Sequence, residues 1–350
     1  MRIDLLCNDG SPLGVIPPLI YGRGVGGAEL AMMSLMHTFA DRGHEVRVFN
    51  DPSSPGDYDG VHYQPLAAWD NRSPRDALII FRSPNQRVRF EDLSGVRRIW
   101  WSTDQYTIGD YADLGNKVEF CVTISPRHTD YHRAHYGIAR EKIGHIDLGV
   151  RLADYAAGVE KVKNRLIFCS IPDRGLTVLH ASWPLIKKVV PDASLVITSD
   201  YRLWGTGTPN NQTHRLMWAG QPDVKFLGRI DRLELTRYQQ EAEILSYPCL
   251  YDELFCLSVA ECQVAGALPI TTDAGALPTT NEFGILIPGE PTRPAWVTQF
   301  VERITVLLTT ERPYLEERQR AAAQGGRLRF DWNVIAEQWE HLFNKGRLDR

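Results

Sequence analysis

The sequence contains no hydrophobic run that approaches the roughly 20 residues needed to span a membrane as a helix. The apolar stretch at residues 1–7 is interrupted by Asp4 and is shorter than the core of a secretory signal peptide. Charge of one sign is not in excess, because 39 Lys and Arg oppose 43 Asp and Glu for a formal net charge of −4. These absences argue against a membrane-spanning protein and against one that grips nucleic acid by bulk positive charge. They predict a cytoplasmic chain, and peripheral attachment to a membrane is left open.

Paired cysteines and a serine-hydrolase motif are also missing. No C-x-x-C pair occurs, and four of the six cysteines sit in or beside apolar runs, which is typical of buried free thiols. The G-x-S-x-G signature of a nucleophilic serine is absent as well. We therefore expect neither a zinc site nor a disulfide frame from the cysteines, which are Cys7, Cys121, Cys169, Cys249, Cys256 and Cys262.

The chain does have enough apolar material for two packed domains, since 43% of its 350 residues are hydrophobic. Strand-like and helix-like segments alternate, stop at a polar stretch over residues 151–164, and then restart. This pattern predicts an α/β fold of two Rossmann-like parallel-sheet domains that face a cleft, over residues 1–153 and 160–330. The tail, residues 331–350, is predicted to be a helix that crosses back to the first domain, with one apolar face made by Ile335, Trp339, Leu342 and Phe343.

The individual elements follow from periodicity and from Gly and Pro signals. Predicted strands cover residues 2–7, 45–50, 77–81, 97–101, 119–124, 143–147, 166–169, 194–198, 224–227, 243–245, 268–272 and 284–287. Predicted helices cover residues 28–42, 126–136, 176–189, 234–240, 258–265 and 295–309.

One glycine motif is misleading. Gly22-x-Gly24-x-x-Gly27 matches the dinucleotide-binding fingerprint, but that fingerprint needs its glycines directly after the first strand, and about 14 residues separate Cys7 from Gly22. A nicotinamide-dependent dehydrogenase is therefore disfavoured. Gly26 and Gly27 still precede a predicted helix, whose free backbone N–H groups suit a phosphate. A flexible surface loop explains these two glycines equally well.

Two acids in the second half, Glu253 and Glu261, are separated by seven residues. Ser258-x-x-Glu261 is a capping-box pattern, which predicts Glu261 in the first turn of a helix and Glu253 in the preceding loop. Both acids would then lie at a helix N-terminus above a sheet, where α/β folds bind ligands. On these residues alone, a helix cap and a solvated loop acid remain an alternative.

The segment from Tyr251 to Glu261 resembles the E-x7-E motif of retaining GT-B glycosyltransferases of family 4, the group 1 type. Four further segments resemble the family's motifs, in order along nearly the whole chain: Gly26-Gly27-Ala28-Glu29, Gly43-His44-Glu45-Val46, Pro172-Asp173-Arg174-Gly175-Leu176 and Val224-Lys225-Phe226-Leu227-Gly228. The resemblance implies a GT-B fold and a retaining hexosyltransferase that needs neither a cofactor nor a metal. Its donor would be a nucleotide-diphosphate sugar, UDP- or GDP-linked, and its acceptor a hydroxyl of a glycan, a lipid-linked compound or a small molecule.

The resemblance also assigns roles to residues. Glu253 would lie near the donor sugar and stabilise the transition state, and Glu261 would bind the ribose. Arg174 would bind the diphosphate in a bidentate fork. Gly26 and Gly27 would approach the phosphates from the other domain. The backbone amides expected to face the donor are those of Leu254, Phe255, Cys256, Leu257 and Ser258.

Two positions depart from the family's pattern. Cys169 stands where an Arg is usual, so one of two expected cations is missing, and Arg229 is a candidate substitute. Thr103 stands where a His is usual, which leaves Asp104 as the polar group expected to face the acceptor, although a turn-capping role explains Asp104 too. These departures leave open a catalytically weak sugar-nucleotide or polyanion-binding protein of the same fold.

Two basic clusters are further candidates for a functional site. His128, His132 and His135 share a helical face, and the arginines that flank them favour a solvated basic face over a metal site. The arginines and tryptophans of a second cluster could form a groove that binds a polyanion, which would fit a glycosyltransferase acting on a nucleic-acid base. A solvated basic surface beside core tryptophans is the favoured interpretation. The members of the second cluster are Arg82, Arg87, Arg89, Arg97, Arg98, Trp100 and Trp101.

Overall fold

The computed structural model describes residues 1–7, 14–82, 93–105, 111–155, 158–204 and 210–348. The chain divides into two compact units. The first unit comprises Met1–Ile20, Gly27–Gly149 and Trp332–Arg350, and the second comprises Tyr21–Gly26 and Val150–Asp331. The predicted positions Arg87 and Arg89 lie outside the described residues. So does part of residues 9–23, which we expect, together with residues 51–75, to set acceptor specificity, because surface loops vary without changing the fold.

The first unit is built on an eight-stranded sheet of order β3-β4-β2-β1-β5-β6-β7-β8. Its strands are β1 (Arg2–Leu6), β2 (Glu45–Phe49), β3 (Gly56–Tyr58), β4 (Val61–Gln64), β5 (Ala77–Phe81), β6 (Arg97–Trp101), β7 (Phe120–Thr123) and β8 (Ile143–His145). All described pairings are parallel except the β3–β4 hairpin, which the sequence did not predict. The early helices are α1 (Pro18–Arg23), α2 (Gly27–Asp41), α3 (Tyr111–Lys117) and α4 (Pro126–Tyr136).

The second unit is built on a six-stranded parallel sheet of order β11-β10-β9-β12-β13-β14. Its strands are β9 (Arg165–Phe168), β10 (Ser194–Ile197), β11 (Val224–Phe226), β12 (Ile244–Tyr247), β13 (Leu268–Thr272) and β14 (Ile285–Ile287). Its helices are α5 (Leu176–Val189), α6 (Asn210–Trp218), α7 (Arg232–Glu241), α8 (Leu257–Val264), α9 (Leu277–Thr280), α10 (Pro294–Thr309) and α11 (Arg312–Arg329). Helix α11 was missed, because its charged sequence buries only a few side chains.

The central strands are buried along their whole length, as β5, β12 and β13 show. Parallel sheets covered on both faces produce such continuous apolar runs, which explains why these strands were readable from the sequence. The predicted start and end of α4 are also confirmed. The Ser125 side chain accepts a hydrogen bond from the His128 N–H, and Gly137 ends the helix in the left-handed conformation.

The last helix, α12 (Trp332–Lys345), belongs to the first unit, as predicted. The four predicted apolar residues are all buried, and Trp339 packs edge-on against Trp101 at 5.3 Å between ring centroids. On the same helix, Glu340 accepts hydrogen bonds from the Nε and Nη2 of Arg42, both at 2.8 Å, and lies 2.8 Å from the Nε2 of His44. The helix is therefore fixed by an apolar stripe and by one charged anchor.

Because the ion pair between Glu340 and Arg42 requires an ionised carboxylate, we expect the folded protein to lose stability in acid. The hydrogen bond from Arg42 is the main cause that lowers the pKa of Glu340 from 4.5 to about 2. A carboxylate with a lowered pKa stabilises the fold above its ordinary pKa, and the contribution disappears as pH falls from 4.5 towards 2. We expect Glu340→Gln to reduce the free energy of unfolding by about 1 kcal/mol at pH 7 and by less at pH 3.

Urea unfolding followed by tryptophan fluorescence at pH 7, 5 and 3 measures this difference. Glu337→Gln is the matched control, because Glu337 lies on the same helix, 3.8 Å from Arg42, with 64% of its side chain exposed. A difference between wild type and Glu340→Gln that stays constant from pH 7 to pH 3 would contradict the prediction.

Candidate functional site

The order of strands in the second unit points to one edge of its sheet. The chain runs from β9 outward to β10 and β11, and then returns to the other side of β9 to form β12, β13 and β14. Open α/β sheets bind ligands outside the carboxyl ends of the two strands where the direction reverses. Here those strands are β9 and β12, so the segments that follow them, residues 169–174 and 248–253, define the candidate site.

These two segments bring Arg174 and Glu253 into direct contact. The Nη1 of Arg174 donates to both oxygens of the Glu253 carboxylate, at 2.6 and 2.7 Å. Glu253 is 2% exposed. The Arg174 guanidinium also lies over the Tyr251 ring, 4.6 Å from its centroid. Burial lowers the pKa of Arg174, but its neighbours, Glu253 foremost among them, together raise that pKa well above its ordinary value. Arg174 is therefore a fixed cation at the sheet edge.

The Nε of Arg174 stands apart from the other nitrogens of its guanidinium in the part of the chain that the structure describes. Its Nε is buried and has no hydrogen-bond acceptor among the residues that the structure describes. Buried N–H groups are nearly always paired, so an orphaned one calls for an explanation such as a bound ligand. The strongest hydrogen bonds of a cationic N–H are those to an anionic oxygen, so an anionic ligand suits this position.

Glu253 has a second donor, Tyr247, which sequence reasoning missed. The Tyr247 hydroxyl donates to Oε1 of Glu253 at 2.5 Å and lies 3.3 Å from the Ser170 hydroxyl. Burial raises the pKa of Tyr247 well above its ordinary value, so the hydroxyl keeps its proton and acts as a donor. Tyr247 is the last residue of β12, all of whose residues are buried. Nothing in such a strand pattern separates a hydrogen-bonding tyrosine from a packing one.

Two glycines allow the segments to approach each other. Gly175 has φ of 112°, and a Cβ there would lie 2.0 Å from the Pro248 carbonyl oxygen. Gly275 has φ of 59°, and a Cβ there would lie 2.3 Å from the Glu253 carbonyl oxygen. Gly175 belongs to a predicted motif, whereas Gly275 had no signal in the sequence. Neither position can carry a Cβ if the two segments are to lie close enough for Arg174 to contact Glu253.

The helix that follows Glu253 begins differently from the prediction. The cap of α8 is Cys256, in the left-handed conformation at φ of 73° and without a side-chain capping hydrogen bond. Ser258 is the second residue of the helix, and its hydroxyl donates to the Cys169 carbonyl at 2.5 Å. Glu261 is the fifth residue, beyond the first turn. The capping-box prediction is therefore wrong, because the Ser258 hydroxyl makes a bond to another segment of the chain.

Glu261 lies in a separate buried network. Its Oε1 accepts from Nη1 of Arg232 at 2.5 Å and its Oε2 from Nε2 of Gln239 at 2.9 Å. Arg232 also donates to Asp154 at 2.7 Å and to the Tyr155 hydroxyl at 3.2 Å. Arg232 was not recognised in the sequence, because it lies just before the helix predicted over residues 234–240; in the structure it is the first residue of α7.

The Gln239 side chain connects this network to Cys169. Its Nε2 lies 3.8 Å from the Cys169 Sγ, and that sulfur lies 3.9 Å from the Cys262 Sγ. The described cysteines are all free and buried, as predicted. The position where the family pattern suggests a cation is thus filled by a buried thiol, and the nearby buried cation is Arg232.

The remaining donor-side candidates lie elsewhere in the second unit or at its boundary. The Arg229 backbone N–H lies 3.3 Å from Oδ2 of Asp200, and its Nη2 donates to the Gly24 carbonyl at 2.5 Å. Gly26 is the last residue of the segment Tyr21–Gly26, which belongs to the second unit, and Gly27 is the first residue of α2 in the first unit. Leu254 and Phe255 are both buried. The roles predicted for these residues stay predictions.

In the first unit, Asp104 follows β6 and is held at several atoms. Its Oδ2 lies 2.8 Å from the Arg82 Nε and accepts from the Thr103 hydroxyl at 3.0 Å. Its carbonyl accepts from the His128 Nε2 at 3.2 Å. The side chain is 30% exposed. Asp104 is thus oriented at the carboxyl edge of the sheet.

The solvated histidine face predicted on α4 is wrong for two of its three members. His128 and His132 are fully buried, and only His135 is exposed. Burial lowers the pKa of His128 to about 3 and that of His132 to about 2, so both rings are neutral. Their helix packs its histidine side against the segment around Ser102 and Asp104, where His132 Nε2 lies 2.9 Å from the Ser102 hydroxyl.

The basic and aromatic groove is not formed by the residues that the structure describes. Trp100 and Trp101 are core residues, as favoured from the sequence. Arg98 pairs with Glu119 at 2.6 Å, and Arg97 donates to the Phe343 carbonyl. In the described ranges, no group of three or more His, Cys, Asp or Glu side chains is arranged to hold a metal ion. No described helix has the length and apolar character to cross a bilayer.

Comparisons with known proteins agree with this architecture. Residues 163–310 match the family described as glycosyl transferases group 1. A phosphatidyl-myo-inositol mannosyltransferase from Mycobacterium tuberculosis is 27% identical over 173 residues, which cover 48% of this chain and 42% of that protein. The match therefore spans less than half the length of this curated relative.

Solved structures resemble the chain over almost its whole length. Sucrose-phosphate synthase from Thermosynechococcus elongatus has a TM-score of 0.71 at 15% identity and covers 99% of this chain and 98% of its own. HepE from Anabaena, in complex with UDP-glucose, has a TM-score of 0.66 at 14% identity, with coverage of 98% and 99%. The catalytic domain of starch synthase IV from Arabidopsis thaliana, bound to ADP and acarbose, scores 0.70 at 11% identity, with 99% of each chain covered. These likenesses confirm the predicted GT-B fold class.

Proposed function

We propose that the chain transfers a hexose from a nucleotide-diphosphate sugar to a hydroxyl acceptor with retention. This proposal is supported by the match of residues 163–310 to the family described as glycosyl transferases group 1. The observation that carries this proposal is the contact between Arg174 and Glu253 at the switch point of the second sheet. A cation with an orphaned N–H beside a buried carboxylate suits a ligand with an anionic diphosphate and an adjoining sugar.

The donor's diphosphate would bind at Arg174 and at the start of α8. The orphaned Nε of Arg174 supplies one donor. The first backbone N–H groups of α8 supply others, since a helix N-terminus carries unsatisfied donors and a partial positive charge. In this proposal these groups, rather than a metal ion or a cofactor, stabilise the negative charge on the leaving diphosphate.

The reaction then requires little covalent chemistry from the protein. The bond between the anomeric carbon and the diphosphate oxygen breaks, the acceptor oxygen forms the new bond, and the acceptor's proton leaves on the diphosphate. Glu253 stays oriented by Tyr247, so its charge can stabilise positive charge that develops at the anomeric carbon. Asp104 would contact the acceptor hydroxyl.

Glu261 as a ribose ligand is part of the same proposal. Its two oxygens already accept from Arg232 and Gln239. A carboxylate has about four lone-pair sites, so each oxygen can accept one further hydrogen bond. The ribose hydroxyls would therefore add to the existing network rather than break it.

The alternative is a sugar-nucleotide-binding protein of the same fold with little turnover. Its support is that Cys169 and Thr103 replace an Arg and a His of the family pattern, and that the buried Cys169 thiol supplies no positive charge. The curated relative is named as a mannosyltransferase of a lipid, which favours the enzyme and an acceptor at a membrane surface.

One experiment separates these readings. The purified chain is screened against UDP-, GDP-, ADP- and dTDP-sugars for thermal shift and for release of the nucleotide. We expect one nucleotide class to raise the melting temperature and to be released, and Arg174→Gln to lose both effects. Binding without release would support the alternative, and an absence of both in wild type would reject both functions.

A further inference from the structure

Glu261 is held in a closed ring of hydrogen bonds inside the second unit. Its Oε1 accepts from Nη1 of Arg232 at 2.5 Å, and its Oε2 accepts from Nε2 of Gln239 at 2.9 Å. The Tyr155 hydroxyl closes the ring, because it accepts from Nη2 of Arg232 at 3.2 Å and donates to Oε1 of Gln239 at 2.6 Å. Each of the four side chains is therefore held by a partner on either side, which fixes the orientation of the Glu261 carboxylate.

The ring is buried and has a permanent cation in it. Its four residues are each 4% exposed or less. The Nε of Arg232 donates to Oδ2 of Asp154 at 2.7 Å, so all three nitrogens of the guanidinium make a hydrogen bond. Burial lowers the pKa of Arg232, but its neighbours, Glu261 foremost among them, together raise that pKa above its ordinary value. Burial also raises the pKa of Tyr155, so its hydroxyl keeps the proton that it donates.

The ring adjoins the place where we expect the donor. The Nε2 of Gln239 lies 3.8 Å from the Sγ of Cys169, the first residue after β9, and β9 is one of the two strands at the switch point. Glu261 is the fifth residue of α8, so it lies about 6 Å along the helix axis from the N-terminus that we assign to the diphosphate. The group next to the diphosphate in a nucleotide is the ribose.

The ring also decides which chemical group Glu261 can bind. Both of its oxygens act as acceptors towards Arg232 and Gln239, so the lone pairs that remain accept hydrogen bonds as well. A ribose presents two adjacent donors, the 2′ and 3′ hydroxyls, whereas a 2′-deoxyribose presents one. A site built to accept from a hydroxyl discriminates strongly against the analogue that lacks it.

We propose that Arg232 is a positioning residue that, through Glu261, makes the chain select ribonucleotide donors over their 2′-deoxy counterparts. Arg232 lies outside every motif on which the family resemblance rests. The inference depends on the proposed function and deepens it, since it names the class of sugar in the donor's nucleotide and the residue that enforces it. A dTDP-sugar, which carries a 2′-deoxyribose, is accordingly a poor donor.

The test compares nucleoside diphosphates with and without the 2′ hydroxyl by calorimetric titration of the full chain. The probes are UDP, GDP and ADP, each beside its 2′-deoxy form. We expect wild type to bind one ribonucleotide about 10–100-fold more tightly than its 2′-deoxy form, because the lost hydrogen bond is charge-assisted. In Arg232→Gln this ratio should fall below about threefold. Arg232→Lys should lie between them, because an ammonium cannot reproduce the planar fork that joins Asp154 to Glu261.

The ratio separates positioning from general damage, because a purely structural loss weakens the binding of both forms alike. Arg312→Gln is the matched control, since Nη1 and Nη2 of Arg312 donate to the buried Glu243 at 2.9 and 2.6 Å in the same unit. It should leave the ratio unchanged. If Arg232→Gln does not fold, Tyr155→Phe takes its place, because it opens the ring without leaving an unpaired buried charge. The ratio should then fall at least about threefold.

The outcomes distinguish this inference from the proposed function. Equal binding of both forms by wild type, or a ratio that stays at the wild-type value in the folded variants, would overturn the inference while the proposed function stands. A wild type that binds none of the nucleoside diphosphates would reject the proposed function, and the inference with it.

Discussion

Glu253→Gln should lower kcat about 10²–10³-fold while the dissociation constant for the nucleotide diphosphate stays within about threefold. The substitution keeps the size of the side chain and the oxygen that accepts from Tyr247. It removes the negative charge. In the wild type Arg174 donates to both carboxylate oxygens, whereas in the variant it faces a neutral amide. A group whose charge acts only on the developing transition state changes turnover, not ground-state binding.

Single-turnover kinetics and calorimetric titration of the nucleotide diphosphate measure the two quantities separately. Glu290→Gln is the control, because Glu290 is an exposed acid of the same unit. A comparable loss in turnover and in nucleotide affinity would show that Glu253 acts in donor binding instead.

Gly175→Ala should destabilise the second unit by about 3–5 kcal/mol and abolish nucleotide binding. Two effects add at this position. The left-handed φ of 112° is strained for any other residue, and the new Cβ would lie 2.0 Å from the Pro248 carbonyl oxygen. Relief of that overlap must separate the segments after β9 and β12, and with them Arg174 from the start of α8, the two groups to which we assign the diphosphate.

Gly220→Ala isolates the first of these effects. Gly220 also has positive φ, 83°, but a Cβ there would meet no atom within 4 Å. We expect it to cost about 1–2 kcal/mol and to leave nucleotide binding unchanged. Urea unfolding and nucleotide titration of both variants provide the comparison. Equal destabilisation by the two variants would show that the close approach at Pro248 is unimportant.

The sequence predicted those parts of the fold whose signal is local. Buried parallel strands such as β5 and β13 read as apolar runs, and α4 carried its cap and its terminating glycine. The apolar stripe of α12 was visible for the same reason. The E-x7-E motif located Glu253 and Glu261 because their spacing is local too.

The features that sequence reasoning missed depend on partners far along the chain. Ser258 looked like a cap, but its hydroxyl bonds to Cys169, 89 positions away. His128 looked solvated beside its arginine neighbours, yet the segment around Asp104 covers it. Tyr247 gave no local sign at all, because a buried tyrosine acquires its role only through the carboxylate that the topology brings to it.

The most direct test of the central claim is a crystal structure of the chain with the nucleoside diphosphate that gives the largest thermal shift. The account predicts that the diphosphate lies between the carboxyl ends of β9 and β12, within hydrogen-bond distance of the Arg174 guanidinium and of backbone N–H groups at the start of α8. A diphosphate bound elsewhere, for example at the glycines from Gly22 to Gly27, with the Arg174 Nε still without an acceptor, would contradict it.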